Sequence, residues 1–171
     1  LQITQNTFES SVSVDEAIAV GDDTSTADNN QPTGDLTVSN NVLNQADSGS
    51  GTGIITINAS NPNLNLAEIR NNTINFANSD TGIQITDDGS TGDLQATINI
   101  TADSSIPATI GGDSGAVGVL YDPSGSSYGD TVNIENLKFD TVNTGVRVTN
   151  GAIDLSVTGV NATAVGGTSD S

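Results

Sequence analysis

A short pattern of apolar and polar residues recurs along this chain. An apolar–polar–apolar run is followed by Asn and then by one more apolar residue. Clear copies lie at residues 1–8, 36–43 and 67–74, a looser copy at 132–139, and a faint one at 155–161. The period-two alternation predicts a β-strand in each copy, ended by a turn at the Asn. Repetition of one unit is typical of stacked architectures, in which no unit can bury its apolar face alone.

A second strand-like run follows each Asn turn after a polar gap. These runs lie at residues 17–20, 53–57, 82–85, 116–120 and 145–148. A helix is tempting only at residues 15–20, but that segment occupies a position that is strand-like in the other units. Each unit is therefore predicted to contain a strand, an Asn turn, a short strand, a gap, a further strand and a loop.

The spacing between the units is irregular. We place the central apolar residue of the Asn motif at Ile3, Val38, Ile69, Ile98, Ile134 and Val157. The steps between these positions are 35, 31, 29, 36 and 23 residues, so loop length is predicted to vary while the coil stays constant. We expect one all-β segment over residues 1–171, belonging to a longer chain or assembly. About five to six coils, each about 4.8 Å thick, would make a rod of roughly 25–30 Å.

An antiparallel β-sandwich is the alternative architecture, because it also consists of short alternating strands. Sandwiches use tight hairpins, and few dipeptides of this chain favour one. Asp88-Gly89 lies in a loop of about eight residues, whereas Asn150-Gly151 joins two strand-like runs and is compatible with a hairpin. The sandwich therefore stays open as the second prediction.

Residues 71–85 carry a family resemblance. The segment reads Asn-Asn-Thr-Ile-Asn, then a polar gap, then Thr-Gly-Ile-Gln-Ile. It resembles the coil repeat of right-handed parallel β-helix proteins of the pectate-lyase-like class, here of the bacterial or archaeal surface or secreted type. The resemblance implies parallel sheets of stacked strands and a ladder of Asn side chains at one corner. The predicted rungs are Asn6, Asn41, Asn72 and Asn136.

Composition and charge narrow the classes of partner. The chain has 21 acidic and 3 basic residues, a net charge of −18, and no Cys or His. Such a surface repels phosphate backbones and anionic membrane surfaces, so nucleic-acid binding is not expected. Membrane insertion is not expected either, because the sequence has no apolar stretch long enough to span a bilayer. The absence of Cys fits an extracellular repeat protein. With 3% aromatic residues, the core must consist mainly of Ile, Val, Leu and Ala.

Two acidic loops are candidate calcium sites. Residues 87–93 and 122–130 place oxygen-bearing side chains at alternate positions around Gly turns, which suits a hard cation. The candidate ligands are Asp87, Asp88, Asp93, Asp122 and Asp130. Neither loop matches an EF-hand or a nonapeptide calcium repeat, and solvated loop tips are the alternative interpretation.

Catalysis is not the favoured function. The resemblance implies enzymes that cleave acidic polysaccharides with paired carboxylates, basic residues or His, and this chain lacks His and has few basic residues. Arg70 is predicted to form a corner salt bridge, and Arg147 to pair with a neighbouring coil or contact an acidic ligand. We expect a structural or adhesive module, outside the cell or at its surface, whose partners are neighbouring copies or flanking domains. The alternative is a glycan-binding or glycan-cleaving domain.

Overall fold

The fold consists of strands throughout the part of the chain that the structure, a computed structural model, describes. The described residues are 1–10, 17–20, 34–45, 53–58, 64–76, 81–87, 96–105, 108–112, 115–123, 130–149 and 154–163. They form the strands β1 (Gln2–Thr4), β2 (Thr7–Ser10), β3 (Ile18–Val20), β4 (Gly34–Ser39), β5 (Val42–Gln45), β6 (Gly53–Asn58), β7 (Leu64–Arg70), β8 (Thr73–Phe76), β9 (Thr81–Asp87), β10 (Thr97–Thr101), β11 (Thr109–Gly111), β12 (Val117–Pro123), β13 (Thr131–Glu135), β14 (Lys138–Asp140), β15 (Thr144–Val148), β16 (Asp154–Thr158) and β17 (Asn161–Thr163).

Each strand pairs with the strand three positions further along the chain, which builds three parallel sheets. Sheet A has the order β1-β4-β7-β10-β13-β16, sheet B the order β2-β5-β8-β11-β14-β17, and sheet C the order β3-β6-β9-β12-β15. Three consecutive strands therefore make one coil, and we number the coils one to six along the chain. All pairs are parallel, as in a parallel β-helix, so the antiparallel sandwich is wrong.

The register of sheet A corrects the predicted alignment of coil four. Ile100 pairs with Ile69 and Ile134, whereas Ile98 pairs with Ala67 and Val132. The central residue of coil four is therefore Ile100. The sequence pattern could not decide this, because Ile98 and Ile100 both point inward and alternate in the same way. The helix considered over residues 15–20 is also absent where the structure describes it, since β3 pairs with β6.

The core is a set of apolar columns that run along the coil axis. In sheet A the column of Val38, Ile69, Ile100 and Ile134 is 0–2% exposed. Each residue lies directly above its counterpart on the previous coil because the strands pair in register. β-branched side chains suit such thin layers, since they pack closely on a pleated surface and lose little rotamer freedom there.

Glycine and phenylalanine share space where sheet B turns into sheet C. Gly82, Gly118 and Gly145 follow one another along sheet C, in register with the fully buried Ile54. A Cβ at Gly118 would lie 2.4 Å from the Phe139 ring, and one at Gly145 would lie 3.0 Å from it. The ring of Phe139 therefore fills volume that a side chain at these positions would need.

One carboxylate lies inside the stack. Asp130 is 2% exposed and precedes β13. Its Oδ1 accepts a 2.9 Å hydrogen bond from the Ala96 backbone N–H, and its Oδ2 accepts one of 2.9 Å from the Tyr121 hydroxyl. Both oxygens thus have protein donors, which compensates the desolvation of the group. The contacts connect coil four to coil five at the corner between sheets C and A.

We predict that Gly118→Ala lowers the free energy of unfolding by about 1–3 kcal/mol, because the new methyl group would lie 2.4 Å from the Phe139 ring and 2.6 Å from the Gly145 carbonyl oxygen. Urea denaturation followed by circular dichroism measures the loss. Gly111→Ala is the matched control, since its Cβ would meet nothing closer than 3.5 Å. Adding Phe139→Leu should make Gly118→Ala less costly than it is in the native background. Equal costs in both backgrounds would contradict the shared-volume explanation.

Candidate functional site

The corner between sheets A and B has two successive positions with different roles. The first is a left-handed residue, with φ of 54–59° at Gln5, Asn40, Asn71 and Asn136 and 63° at Gly159. Asn and Gly tolerate this conformation better than other residues. The second position directly precedes sheet B, and at Asn6, Asn41 and Leu137 its carbonyl accepts a hydrogen bond from the next coil. We call the first position the corner residue and the second the rung.

Three Asn side chains at the rung position are connected into a ladder. The Oδ1 of Asn41 accepts from the backbone N–H and the Nδ2 of Asn6, at 2.9 and 3.1 Å. The Oδ1 of Asn72 accepts from the same two groups of Asn41, both at 3.0 Å. Asn41 and Asn72 are 1% and 4% exposed. Each Oδ1 of the ladder therefore satisfies both the backbone N–H and the side-chain amide of the preceding rung.

The rung Nδ2 groups also reach back to the preceding coil. Asn41 donates to the Ile3 carbonyl at 2.9 Å, and Asn72 donates to the Val38 carbonyl at 2.8 Å. Asn6 instead donates to the Thr4 carbonyl of its own coil at 3.0 Å. The rung amide is thus a bridge between coils wherever a coil lies on both sides of it.

Asn136 is not a rung. It occupies the corner position, with φ of 58°, and it is exposed. The rung of coil five is the buried Leu137, whose carbonyl accepts from the N–H of Asn161. The prediction failed because the Asn of this copy stands one position earlier, at the corner, and an apolar residue follows it, whereas coil one has Gln5 at the corner and its one Asn, Asn6, at the rung. The Asn pairs at residues 40–41 and 71–72 fill both positions, and the single Asn of coil five takes the one that needs left-handed geometry.

The ladder ends at Asn72 because the rung of coil four is Ala108, which has no side-chain amide. The corner of coil four is also longer. Between in-register pairs, coil three has three residues (71–73) where coil four has eight (102–109). The first polar residue of the longer corner is Asp103. Its backbone N–H donates to the Asn71 Oδ1 at 2.8 Å, and its Oδ2 accepts from the Asn71 Nδ2 at 3.0 Å. This reciprocal pair joins coils three and four where the rung does not.

Arg70 completes the cluster at this corner. Its guanidinium donates to the Asp103 Oδ1 at 2.6 Å, and both side chains are roughly half-exposed. The corner salt bridge predicted for Arg70 is therefore confirmed. The hydrogen bond from Asn71 and then the bond and charge of Arg70 lower the pKa of Asp103 below the ordinary aspartate value of 3.8.

A shallow polar groove of about 380 Å³ lies beside this cluster on the outer face of sheet A. Its lining residues are Thr37, Ser39, Asn40, Glu68, Arg70, Asn71 and Asp103. They supply hydroxyl, amide, carboxylate and guanidinium groups without an aromatic platform. The groove can therefore offer hydrogen bonds of both senses to a polar ligand.

A second polar row, which sequence reasoning missed, extends from the groove along sheet A. Asn99 Nδ2 donates to Glu68 Oε1 at 2.9 Å, and Asn133 Nδ2 donates to Asn99 Oδ1 at 2.9 Å. These residues occupy the position before the central apolar residue on β7, β10 and β13. Aligning coil four on Ile100 rather than Ile98 would have revealed the row.

The calcium candidates divide into two groups. Asp88, Asp93 and the side chain of Asp87 lie outside the residues whose placement is described. Asp122 accepts from the Thr149 hydroxyl, while Asp130 turns inward to Tyr121. Tyr121 and Asp122 are successive strand residues, so their side chains lie on opposite faces of the sheet. Asp130 lies with Tyr121 on the inner face, so the structure does not bring the carboxylates of Asp122 and Asp130 together. No group of three acidic side chains among the described residues is placed to hold a metal ion.

Arg147 lies on the outer face of sheet C. It is exposed and pairs in register with Leu120, one coil below, and not with Gln84, which lies two coils below. No carboxylate of the described residues forms a salt bridge with its guanidinium. The side chain is therefore available on this face, with its neighbours Leu120 and Gln84.

Comparison with protein-family models, with curated proteins and with solved structures gives no match to this chain. Within the described segments, none of the secondary structure is a helix of the length and apolarity needed to cross a membrane.

We predict that Asn41→Ala lowers the free energy of unfolding by about 1–3 kcal/mol, because Asn6, Ile3 and Asn72 each lose a buried or part-buried hydrogen-bond partner. Chemical denaturation measures the change. Asn75→Ala is the control, since its amide donates to the Asn44 side chain on the exposed face of sheet B. A loss for Asn41→Ala no larger than for Asn75→Ala would contradict a stabilising ladder.

We also predict that the stabilising effect of Asp103 depends on pH. A carboxyl group whose pKa is lower in the folded than in the unfolded chain stabilises the fold above the unfolded value, 3.8, and loses this effect as pH falls through the folded value. Asp103→Asn should therefore lower the urea midpoint at pH 7, and the difference should shrink as pH falls below 3.8. An NMR titration should give a higher Asp103 pKa in Arg70→Gln. A constant difference across this range would be the contrary result.

Proposed function

We propose that this chain is a rigid, acidic β-solenoid module that holds other groups at a fixed distance outside the cell or at its surface. The observation that supports it most is the register of sheet A, in which six strands stack from β1 to β16 and stay aligned at their central positions, apart from a register shift at the start of β4 between Gly34 and Leu36. In a solenoid of this kind each coil contacts only its neighbours, so the number of coils sets its length. Loops at the corners can vary without changing that length.

The charge of the chain supports the same function. A net charge of −18 keeps such modules soluble and apart from nucleic acids and anionic membranes. The corner ladder, the Gly–Phe contacts and the Asp130–Tyr121 bond each join one coil to the next. These contacts resist sliding and bending between coils, which is the property that a spacer or an adhesive stalk requires.

The distance between the first and last coils tests this proposal. Thr4 and Thr158 occupy the same outward row of sheet A, five coil steps apart, so about 24 Å separates their backbones at about 4.8 Å per step. The chain has no native Cys, so Thr4→Cys with Thr158→Cys accepts two spin labels cleanly. Double electron–electron resonance should give one narrow distance distribution between the two labels. The labelled protein is diluted with unlabelled protein so that only distances within one molecule are measured. A broad or multimodal distribution would argue against a rigid spacer.

A glycan-binding or glycan-cleaving domain is the second candidate, and the groove beside Arg70 is the observation that favours it. Calorimetry with neutral and acidic oligosaccharides would detect binding, and Arg70→Ala compared with Arg147→Ala would locate it. Incubation with polygalacturonate and alginate, with and without calcium, would reveal new reducing ends or unsaturated products. Turnover abolished by Glu68→Gln or Asp103→Asn, which change the two carboxylates that line the groove, would replace the spacer proposal with an enzymatic one.

A further inference from the structure

Glu68, on the outer face of sheet A, carries a charge that no other described residue neutralises. It lies on β7 between Thr37 of coil two and Asn99 of coil four, in register with both. Its Oε1 accepts the 2.9 Å hydrogen bond from the Asn99 amide, which is a neutral donor. Its Oε2 accepts no hydrogen bond from the described residues. Because Glu68 lines the groove, this oxygen is an available acceptor within it.

The basic residues of the chain do not supply a partner for this carboxylate. There are three of them, and the structure describes each one. Arg70 also lines the groove, but its guanidinium donates to Asp103 at 2.6 Å and forms no salt bridge with Glu68. Lys138 and Arg147 lie on sheets B and C, outside the groove. With two carboxylates and one guanidinium in its described lining, the groove has one net negative charge.

The neutral groups of the groove supply mainly oxygen atoms that can accept hydrogen bonds. Thr37 and Ser39 contribute hydroxyls from coil two. The Asn40 Nδ2 donates to the Ser39 Oγ at 3.3 Å, and no described residue donates to the Asn40 Oδ1. The amide of Asn71 is already occupied by its reciprocal pair with Asp103. The available oxygens therefore suit a ligand group that is rich in donors, and a protonated amine presents donors only.

The dimensions of the groove favour a small ligand over a protein. Its volume is about 380 Å³, and its lining extends over coils two to four, which is about 10 Å along the axis. A specific protein interface buries roughly 800 Å² on each partner and extends well beyond such a groove. No aromatic or apolar side chain is among its described lining residues, so a ligand gains affinity there from charge and hydrogen bonds.

We propose that the groove binds an amino sugar, with the protonated amine of the ligand against Glu68 and its hydroxyl groups on Ser39 and Asn40. The amine donates to the Glu68 Oε2, which gives this carboxylate the charged partner that the chain itself does not supply. The ligand hydroxyls donate to the Asn40 Oδ1 and share hydrogen bonds with the Ser39 hydroxyl. This assignment rests on the second candidate function, glycan binding, and names the class of glycan as cationic.

Acidic glycans fit this groove poorly. Their carboxylates would meet a lining with one net negative charge, on a chain whose net charge is −18. Among the described lining residues Arg70 is the one cation, and Asp103 already holds it. An acidic ligand would have to displace Asp103, whose Oδ2 also accepts from the Asn71 amide. The order of affinity for cationic, neutral and acidic sugars therefore tests the assignment.

Calorimetry with three trisaccharides on the unsubstituted chain measures that order. The probes are a trimer of glucosamine, the same trimer with every amine N-acetylated, and a trimer of galacturonate, at a pH at which the free amines are protonated. N-acetylation removes the charge and keeps the ring hydroxyls, so it should raise Kd by about fivefold or more. The galacturonate trimer should bind no more tightly than the N-acetylated trimer. Added salt should weaken binding of the glucosamine trimer more than that of the N-acetylated trimer.

Glu68→Gln tests the position of the amine. This change removes the charge and keeps an oxygen for the Asn99 amide, so the affinity for the glucosamine trimer should fall by about fivefold or more. Glu135→Gln is the matched control, because Glu135 is an exposed carboxylate of the same sheet that lies outside the groove. Both variants change the net charge equally, and the control should leave the affinity nearly unchanged. Circular dichroism verifies that both variants remain folded.

The outcomes separate the ligand class from glycan binding itself. Equal losses in the two variants would indicate general attraction to an acidic chain and would overturn the site. Equal affinity for the glucosamine and N-acetylated trimers would overturn the role of the amine. Tighter binding of the galacturonate trimer, lost in Arg70→Ala, would overturn the cationic class and leave glycan binding in place. No binding of any trimer would overturn both, while the spacer function is decided by the distance between the spin labels.

Discussion

Stacking of one coil on the next in parallel register is the constraint on which the rest of this structure depends. A strand of a parallel coil has no partner within its own coil, so its backbone hydrogen bonds come from the coils above and below. Each coil must therefore repeat the geometry of its neighbours along all three sheets. The apolar columns, the corner ladder and the polar row of sheet A all follow from that repetition, because equal positions on successive coils meet at a constant spacing.

Different coils use different chemistry to satisfy the same constraint. Coils one to three share a ladder of rung amides, whereas coils four and five are joined by a buried carboxylate and a tyrosine hydroxyl. Gly118 and Gly145 leave room for the ring of Phe139, and Ile54 fills the corresponding volume of coil two. The backbone repeat is thus conserved within the chain while the side chains that support it are exchanged. This explains why the sequence repeat is clear at Asn6, Asn41 and Asn72 and weaker in the later coils.

The architecture could be predicted from the sequence because strand alternation and the Asn turn are local properties. The three strands per coil follow from residues such as 36–43 and 53–57. Register was harder, because Ile98 and Ile100 both point inward and only pairing with Ile69 decides between them. Asn136 lies one residue before the rung of its coil. Sequence spacing alone does not distinguish the left-handed corner residue from the rung that follows it. The Asp130–Tyr121 bond and the row from Glu68 to Asn133 join residues whose proximity depends on that register.

The long corner of coil four has a consequence for how this chain can change in length. Five more residues than in coil three separate the last shared pair of sheet A from the first shared pair of sheet B, and both pairings keep their register. A corner can thus absorb an insertion locally, and doubling the length of a flexible loop adds only about 0.6 kcal/mol of closure entropy. Point substitutions inside the columns, by contrast, are felt by two neighbouring coils at once. Diversity in this chain is therefore expected to accumulate as insertions and deletions at the corners, and these are the positions at which a foreign peptide could be grafted.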